Sequence, residues 1–318
     1  MADGMSHEWA TPRHLVHPGP VAHDRVVSVP TVLVEHRVPL PAGAPLLVAL
    51  ESLLDRLGAE AAVGRLEGGA LAAFDYCIPA LGRPQGPVAT FSDPRTGARP
   101  GSAPLALRRG GLTVGRRDGD VFAHSHARWT DPQDGELAGH LLPDSVVLAD
   151  GVTAHVVTSA DALYEVVADP ETTMNLFMPR SCAGGDPDRF RKTTGLMCRV
   201  RPNMDLCTTI ESLVDEHDWP AASVWGQVGS LVGAHLVQPD GSWLEVDGPA
   251  TEVICLEGIV VRDGVRAVAH LEAEVVDRHG RVHRGHLVRG MNLVAMTYEL
   301  TLRREPARDL KDSGATLA

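Results

Sequence analysis

The sequence predicts two tandem α+β domains, each a mostly antiparallel β-sheet with one packed helix. Three observations carry this: a helical motif that recurs 160 residues further on, short Val-rich alternating runs throughout both copies, and two turn-centred ribbons that carry histidines. A single helical pattern among many strands favours an α+β layer over a doubly wound parallel sheet.

The elements follow in order. Residues 1–28 read as an N-terminal tail, the first domain runs over 29–178, a polar Gly-rich linker over 179–193, the second domain over 194–305 and a C-terminal tail over 306–318. "LESLLDRLGAEAAVGRLEGGAL" from residue 50 matches "IESLVDEHDWPAASVWGQVGSL" from residue 210 at Glu51/Glu211, Ser52/Ser212, Leu53/Leu213, Asp55/Asp215 and Gly69/Gly229. Leu50, Leu53, Leu54 and Leu57 in one copy, and Ile210, Leu213 and Val214 in the other, have the spacing of an amphipathic helix. A Gly-containing strand follows each. The histidine ribbons align at an offset of 146, so the first copy carries 14 extra residues between helix and ribbon. They fall in the Pro/Gly-rich stretch "FDYCIPALGRPQGPVATFSDPRTGARPGSAPLALRR", which reads as an irregular excursion able to cover a site with Tyr76, Arg83 and Phe91, or to serve as a packing loop.

With 318 residues and 44% hydrophobic content, the chain can bury two cores. No apolar run reaches the length of a membrane span and no secretory h-region is present, so a cytoplasmic location is expected. The five cysteines are scattered, which argues against a disulfide framework or a thiolate zinc knuckle. A formal net charge of −12 opposes the electrostatic attraction that dominates nucleic-acid affinity, so a nucleic-acid partner is not expected. Arg108, Arg109, Arg116 and Arg117 sit beside acidic residues and read as solvated strand ends.

On "VFAHSHARW", strand parity puts His124, His126 and Arg128 on one side, about 6.8 Å apart in sequence order. "TDPQDGE" supplies turn chemistry, and a hairpin centred on Gln133 sets His126 opposite His140, with Cβ atoms roughly 5 Å apart. In the second copy His270, Glu272 and His286 occupy the equivalent places around a turn centred on His279. Three His, or two His and a Glu, are divalent-ion ligand sets that leave a coordination position open. A His-x-His pair alone is no more than a polar strand face; the third histidine and the echo in the second copy point to metal. Arg128 either pairs an anionic substrate group or forms a salt bridge to Asp134 or Glu136.

Helix with "ESL", His-x-His strand, turn and then Gly139-His140-Leu141-Leu142, echoed by Gly285-His286-Leu287-Val288, resembles the plant and prokaryote conserved (PPC) domain family in two tandem copies. The resemblance implies a PPC-like α+β fold, self-association as a trimer or similar homo-oligomer, and metal held by His124, His126 and His140. The second copy departs from the pattern at Glu272 and Arg284. Plant members add a DNA-binding AT-hook; here "LGRPQG" lacks its leading Arg and basic flank.

The function expected is therefore that of a divalent-metal-dependent enzyme, zinc being the leading ion, working as a hydrolase, lyase or isomerase on a small anionic or carbonyl substrate. The alternative is a DNA-associated or regulatory oligomer without catalysis. No general base identifies itself; Asp144 shares the face of His140 only if the strand survives Pro143.

Overall fold

Alternating Val-rich runs become strands because β-branched side chains pack well on a pleated, half-buried surface. The computed structural model describes residues 13–82, 86–182 and 193–307. In the first half, β1 (Val26–Thr31) and β2 (Val34–Pro39) lead to helix α1 (Leu46–Leu57), which buries Leu46, Ala49, Leu50, Leu53 and Leu54 along one stripe. Gly58, in the left-handed region at φ 59°, stops it, its N–H turning back to Asp55 and Leu54 carbonyls. There follow β3 (Ala61–Glu67), β4 (Ala70–Cys77), the short β5 (Pro79–Leu81), β6 (Ala89–Phe91) and β7 (Arg95–Ala98), and then the long β8 (Leu105–Arg117) and β9 (Asp120–Asp131). The half closes with β10 (Gly135–Leu141), β11 (Val147–Leu148), β12 (Thr153–Ser159) and a hairpin of β13 (Ala162–Asp169) and β14 (Met174–Ser181).

The second half repeats the plan. It runs β15 (Gly195–Val200), helix α2 (Leu206–Glu216), β16 (Ala221–Val224), β17 (Val228–Leu231), β18 (Ala234–Val237) and β19 (Trp243–Val246). It ends with β20 (Thr251–Asp263), β21 (Arg266–Val276), β22 (Val282–Leu287) and β23 (Val294–Glu305). Asp205 caps α2 by accepting the Thr208 N–H at 2.9 Å.

Strand order makes the duplication explicit. The first sheet runs β2-β12-β3-β8-β9-β10-β4, and the second runs β15-β23-β16-β20-β21-β22-β18 with β17 also pairing β20 and β23. Each half keeps its own core, around Leu50, Leu66 and Trp129 in one and Ile210, Leu256 and Tyr298 in the other. Among the described residues no helix is long and apolar enough to cross a membrane.

Two features tie the halves together. Residues 26–31, straddling the expected tail boundary, form β1 at the edge of the second sheet, paired with β15. From residue 13 the expected tail also lies against the second half, Leu15 and Asn203 exchanging two hydrogen bonds of 2.8 Å. The hairpin β13–β14 reaches across as well, where the Tyr164 hydroxyl contacts the Cys198 and Leu300 carbonyls at 3.0 Å. The Pro/Gly-rich excursion is more regular than its composition suggests, with β5 and β6 forming a two-stranded ribbon and β7 pairing β4. Arg83 lies outside the described residues.

At the end of β13, buried Asp169 faces Arg199 at 3.0 Å and Arg201 at 2.7 Å and accepts from the N–H and hydroxyl of Thr172. Burial opposes its ionisation, but the Thr172 hydrogen bonds and the two guanidiniums outweigh that and hold the carboxyl down at about 2. A carboxylate with a depressed folded pKa stabilises above its unfolded pKa of 3.8, and that contribution is lost as pH falls through about 2. The expected contribution is about 2 kcal/mol at neutral pH. Urea unfolding between pH 5 and pH 2 should therefore show a steeper loss of stability in the wild type than in Asp169→Asn, which lacks this titration.

Candidate metal centre

The β9–β10 hairpin has the register that its turn requires. His126 pairs with His140 and Ala138 with Arg128. The ligand atoms of His124, His126 and His140 lie within 4.8 Å of one another, the one such group of three His, Cys, Asp or Glu among the described residues. Ring centroids are 4.8, 5.0 and 5.3 Å apart. Gly139, next to His140, admits this arrangement: a Cβ there would stand 2.4 Å from the Cys77 carbonyl oxygen of β4. Gly111, opposite His126 on β8, does the same for the second half, since its Cβ would meet the Ile254 carbonyl oxygen at 2.7 Å.

The second half supplies what orients the rings. His126 Nδ1 donates to the Val253 carbonyl at 2.8 Å, and His124 Nδ1 meets Glu299 Oε1 at 2.7 Å. A carbonyl only accepts, so the His126 proton is on Nδ1 and its Nε2 carries a lone pair. A carboxylate partner puts the His124 proton on Nδ1 in the same way. The two Nε2 atoms then face each other at 3.2 Å. A shared proton or a metal ion between them satisfies both nitrogens, and the distance suits adjacent donors around an ion with bonds of roughly 2.0–2.1 Å. Burial first, and then the charge of neighbouring His124, push the His126 and His140 imidazoles well below their usual range. They are neutral at physiological pH, the form that binds metal. The residues fit a divalent ion.

Glu252 of β20 completes the surroundings. Its Oε1 lies 3.4 Å from His126 Nε2, it is 4% exposed, and its Oε2 makes no hydrogen bond. Burial pushes this carboxyl up to about 8. His140 packs its ring on Phe91 of the excursion, centroids 4.5 Å apart. Beside the histidines a small pocket opens to solvent, lined by the β5–β6 ribbon and by residues of β14, β17, β20 and β23.

Other residues singled out by the sequence are engaged elsewhere. Arg128 shares the parity of the histidines but does not line the cavity; its guanidinium binds Glu136 at 2.5 Å and Glu274 of the second half. In the second copy Glu272 and His286 are cross-strand partners, yet the Glu272 carboxylate accepts from Arg284 Nε at 2.7 Å and His286 is exposed. Among the described residues His270, Glu272 and His286 do not gather as the first trio does. Asp144 sits in a 3₁₀ turn, Pro143–Ser145, away from the cavity lining. Arg109 pairs Glu257 at 2.9 Å and Arg116 pairs Glu60 at 3.5 Å, while Arg117 stacks over Phe122 and Arg108 donates to Thr130. Glu252, Glu299 and the Val253 carbonyl carry no signal in the sequence beyond two carboxylates in apolar strands.

Residues 188–305 match the model of the Plants and Prokaryotes Conserved (PCC) domain. Among curated proteins none matches. Solved structures similar to parts of the chain include a metal-containing protein of Archaeoglobus fulgidus, 18% identical, covering 48% of this chain and 98% of its own at a TM-score of 0.38. A PPC protein of Pyrococcus horikoshii is 16% identical over 50% of this chain and 97% of its own, with a TM-score of 0.35. A candidate DNA-binding protein of Ralstonia eutropha is 21% identical over 48% and 95%, with a TM-score of 0.34. Residues 188–305 are thus similar to the Plants and Prokaryotes Conserved domain, and the first half of the chain is built on the same strand order as the second.

Proposed function

We propose that this protein is a divalent-metal-dependent enzyme of the hydrolase, lyase or isomerase type, acting on a small molecule with a carbonyl-like oxygen, with zinc held by His124, His126 and His140. The observation that carries this reading is the convergence of three imidazoles, with the His124 and His126 Nε2 atoms 3.2 Å apart and both Nδ1 atoms already engaged by oxygens of the second half. When bound, a divalent ion supplies Lewis acidity and lowers the pKa of a coordinated water. The chain's own residues do the remaining work. Glu299 and the Val253 carbonyl fix the tautomers and planes of two rings. Phe91 covers the third and, with the β5–β6 ribbon, excludes water from that side. Glu252 borders both the cavity and His126, within reach of a proton on a molecule bound there.

Arg128 takes no part in this reading, because its charge is spent on Glu136 and Glu274. The reading is also confined to the first-half histidines. A nucleic-acid role, which the Ralstonia protein's description raises, is opposed here by the net charge of −12 and by the carboxylate pairing of Arg109 and Arg116.

Elemental analysis of protein prepared with zinc should find about one tightly held ion per chain, lost in a folded His126→Ala variant. Wild-type protein that carries no divalent ion and binds none on titration would overturn the proposal. Glu299→Gln keeps an acceptor but loses the charge behind His124, so zinc affinity measured against a competing chelator should fall by on the order of tenfold. Arg128→Lys should leave that affinity unchanged.

A further inference from the structure

The wall of the histidine cavity is apolar on the side away from the ligands. Phe91 comes from the excursion, Met174 and Leu176 from β14, Ala250 from the approach to β20, and Met296 from β23. No lysine or arginine lines it, and besides the histidines its one ionisable side chain is Glu252. The arginines nearby are already neutralised: Arg128 by Glu136 and Glu274, Arg109 by Glu257, and Arg199 and Arg201 by Asp169. An anionic tail entering this cavity would be stripped of water against methionine and leucine with no cation to meet it, which is costly. An aliphatic tail would gain by burial there, and two methionines let the wall adapt to its shape.

We propose that the ligand of this site is an uncharged small molecule, with a carbonyl or similar oxygen donor at one end and a short aliphatic chain at the other, the chain lying on Met174, Leu176 and Met296. This rests on the metal reading above and narrows it, since it excludes substrates with an anionic group on the tail.

The test uses the full chain loaded with zinc and hydroxamic acids as probes, since these bind zinc through oxygen and vary only in their tails. In calorimetric titrations, affinity should rise about fourfold for each added methylene from acetohydroxamate through butyrohydroxamate. The monohydroxamate of succinic acid, similar in length but ending in a carboxylate, should bind at least about tenfold more weakly than butyrohydroxamate. Leu176→Ala should flatten the chain-length trend while leaving acetohydroxamate affinity in place; Met174→Ala, at a half-buried position, serves the same purpose if the first variant fails to fold. Equal or tighter binding of the carboxylate-ended probe, or no trend with chain length, would overturn the inference while zinc content measured on the same sample leaves the metal reading standing. A sample that takes up no zinc overturns both.

Discussion

The contact on which the site depends is the passage of β20 over the histidine face of β9, which brings the Val253 carbonyl to His126. A hairpin alone can set His126 beside His140, but it leaves both rings free to turn and to bind water. Once the second half covers them, the rings lose solvent, lose their positive charge and keep a single tautomer. Small residues at the crossing are therefore a condition of that geometry. With any side chain at Gly111 the Ile254 backbone could not approach, and the acceptor would be withdrawn from its ring.

The two copies have diverged into complementary parts. Glu299 of β23 stands opposite Arg199, at a place that Thr153 holds in the first half, and two residues along β12 from Thr153 His155 stands opposite Arg37. Glu299 orients His124 across the interface, whereas His155 bonds Glu35 at 2.8 Å and packs edge-on to Trp225. The ligand strands show the converse. In the first copy three imidazoles converge, and in the second Arg284 claims the carboxylate that would have been the middle ligand. The excursion capping the first trio is longer than its counterpart in the second copy. One half thus carries the donors and the other half carries the groups that aim them.

Much of this was legible in the sequence, and the reason is geometric. Side-chain parity on a strand has period two and an odd hairpin loop fixes which residues oppose, so the pairing of His126 with His140 follows from turn residues and counting. The fold class followed from periodicity, and the duplication from the repeated helix motif. Glu252, Glu299 and Val253 were not legible, because they reach the site through packing between halves more than a hundred residues apart in sequence. Local spacing cannot encode that, and a backbone carbonyl has no residue type to betray it. Glu252 in "TEVICLEG" did leave a faint trace, since a carboxylate in an apolar strand needs a partner. Strand parity places Arg128 with the histidines, but one more step along β9 carries its side chain past the cavity and into the carboxylates of β10 and β21.

A cation held by the three histidines would be coupled to the docking of the halves. Two of the three rings take their acceptors from the second half, so a cation that prefers the oriented rings also prefers the docked interface. Linkage is reciprocal: whatever tightens the interface must tighten the cation site by the same factor. The apolar patches at Tyr164, Phe177 and Trp225, and at Ala138, Ile254 and Val276, are then more than glue. Their burial maintains the geometry that keeps His126 neutral and aimed, and the β13–β14 hairpin, which places Met174 and Leu176 in the cavity wall, is held by the same contacts. Stability of the interface and chemistry of the site rest on one set of residues.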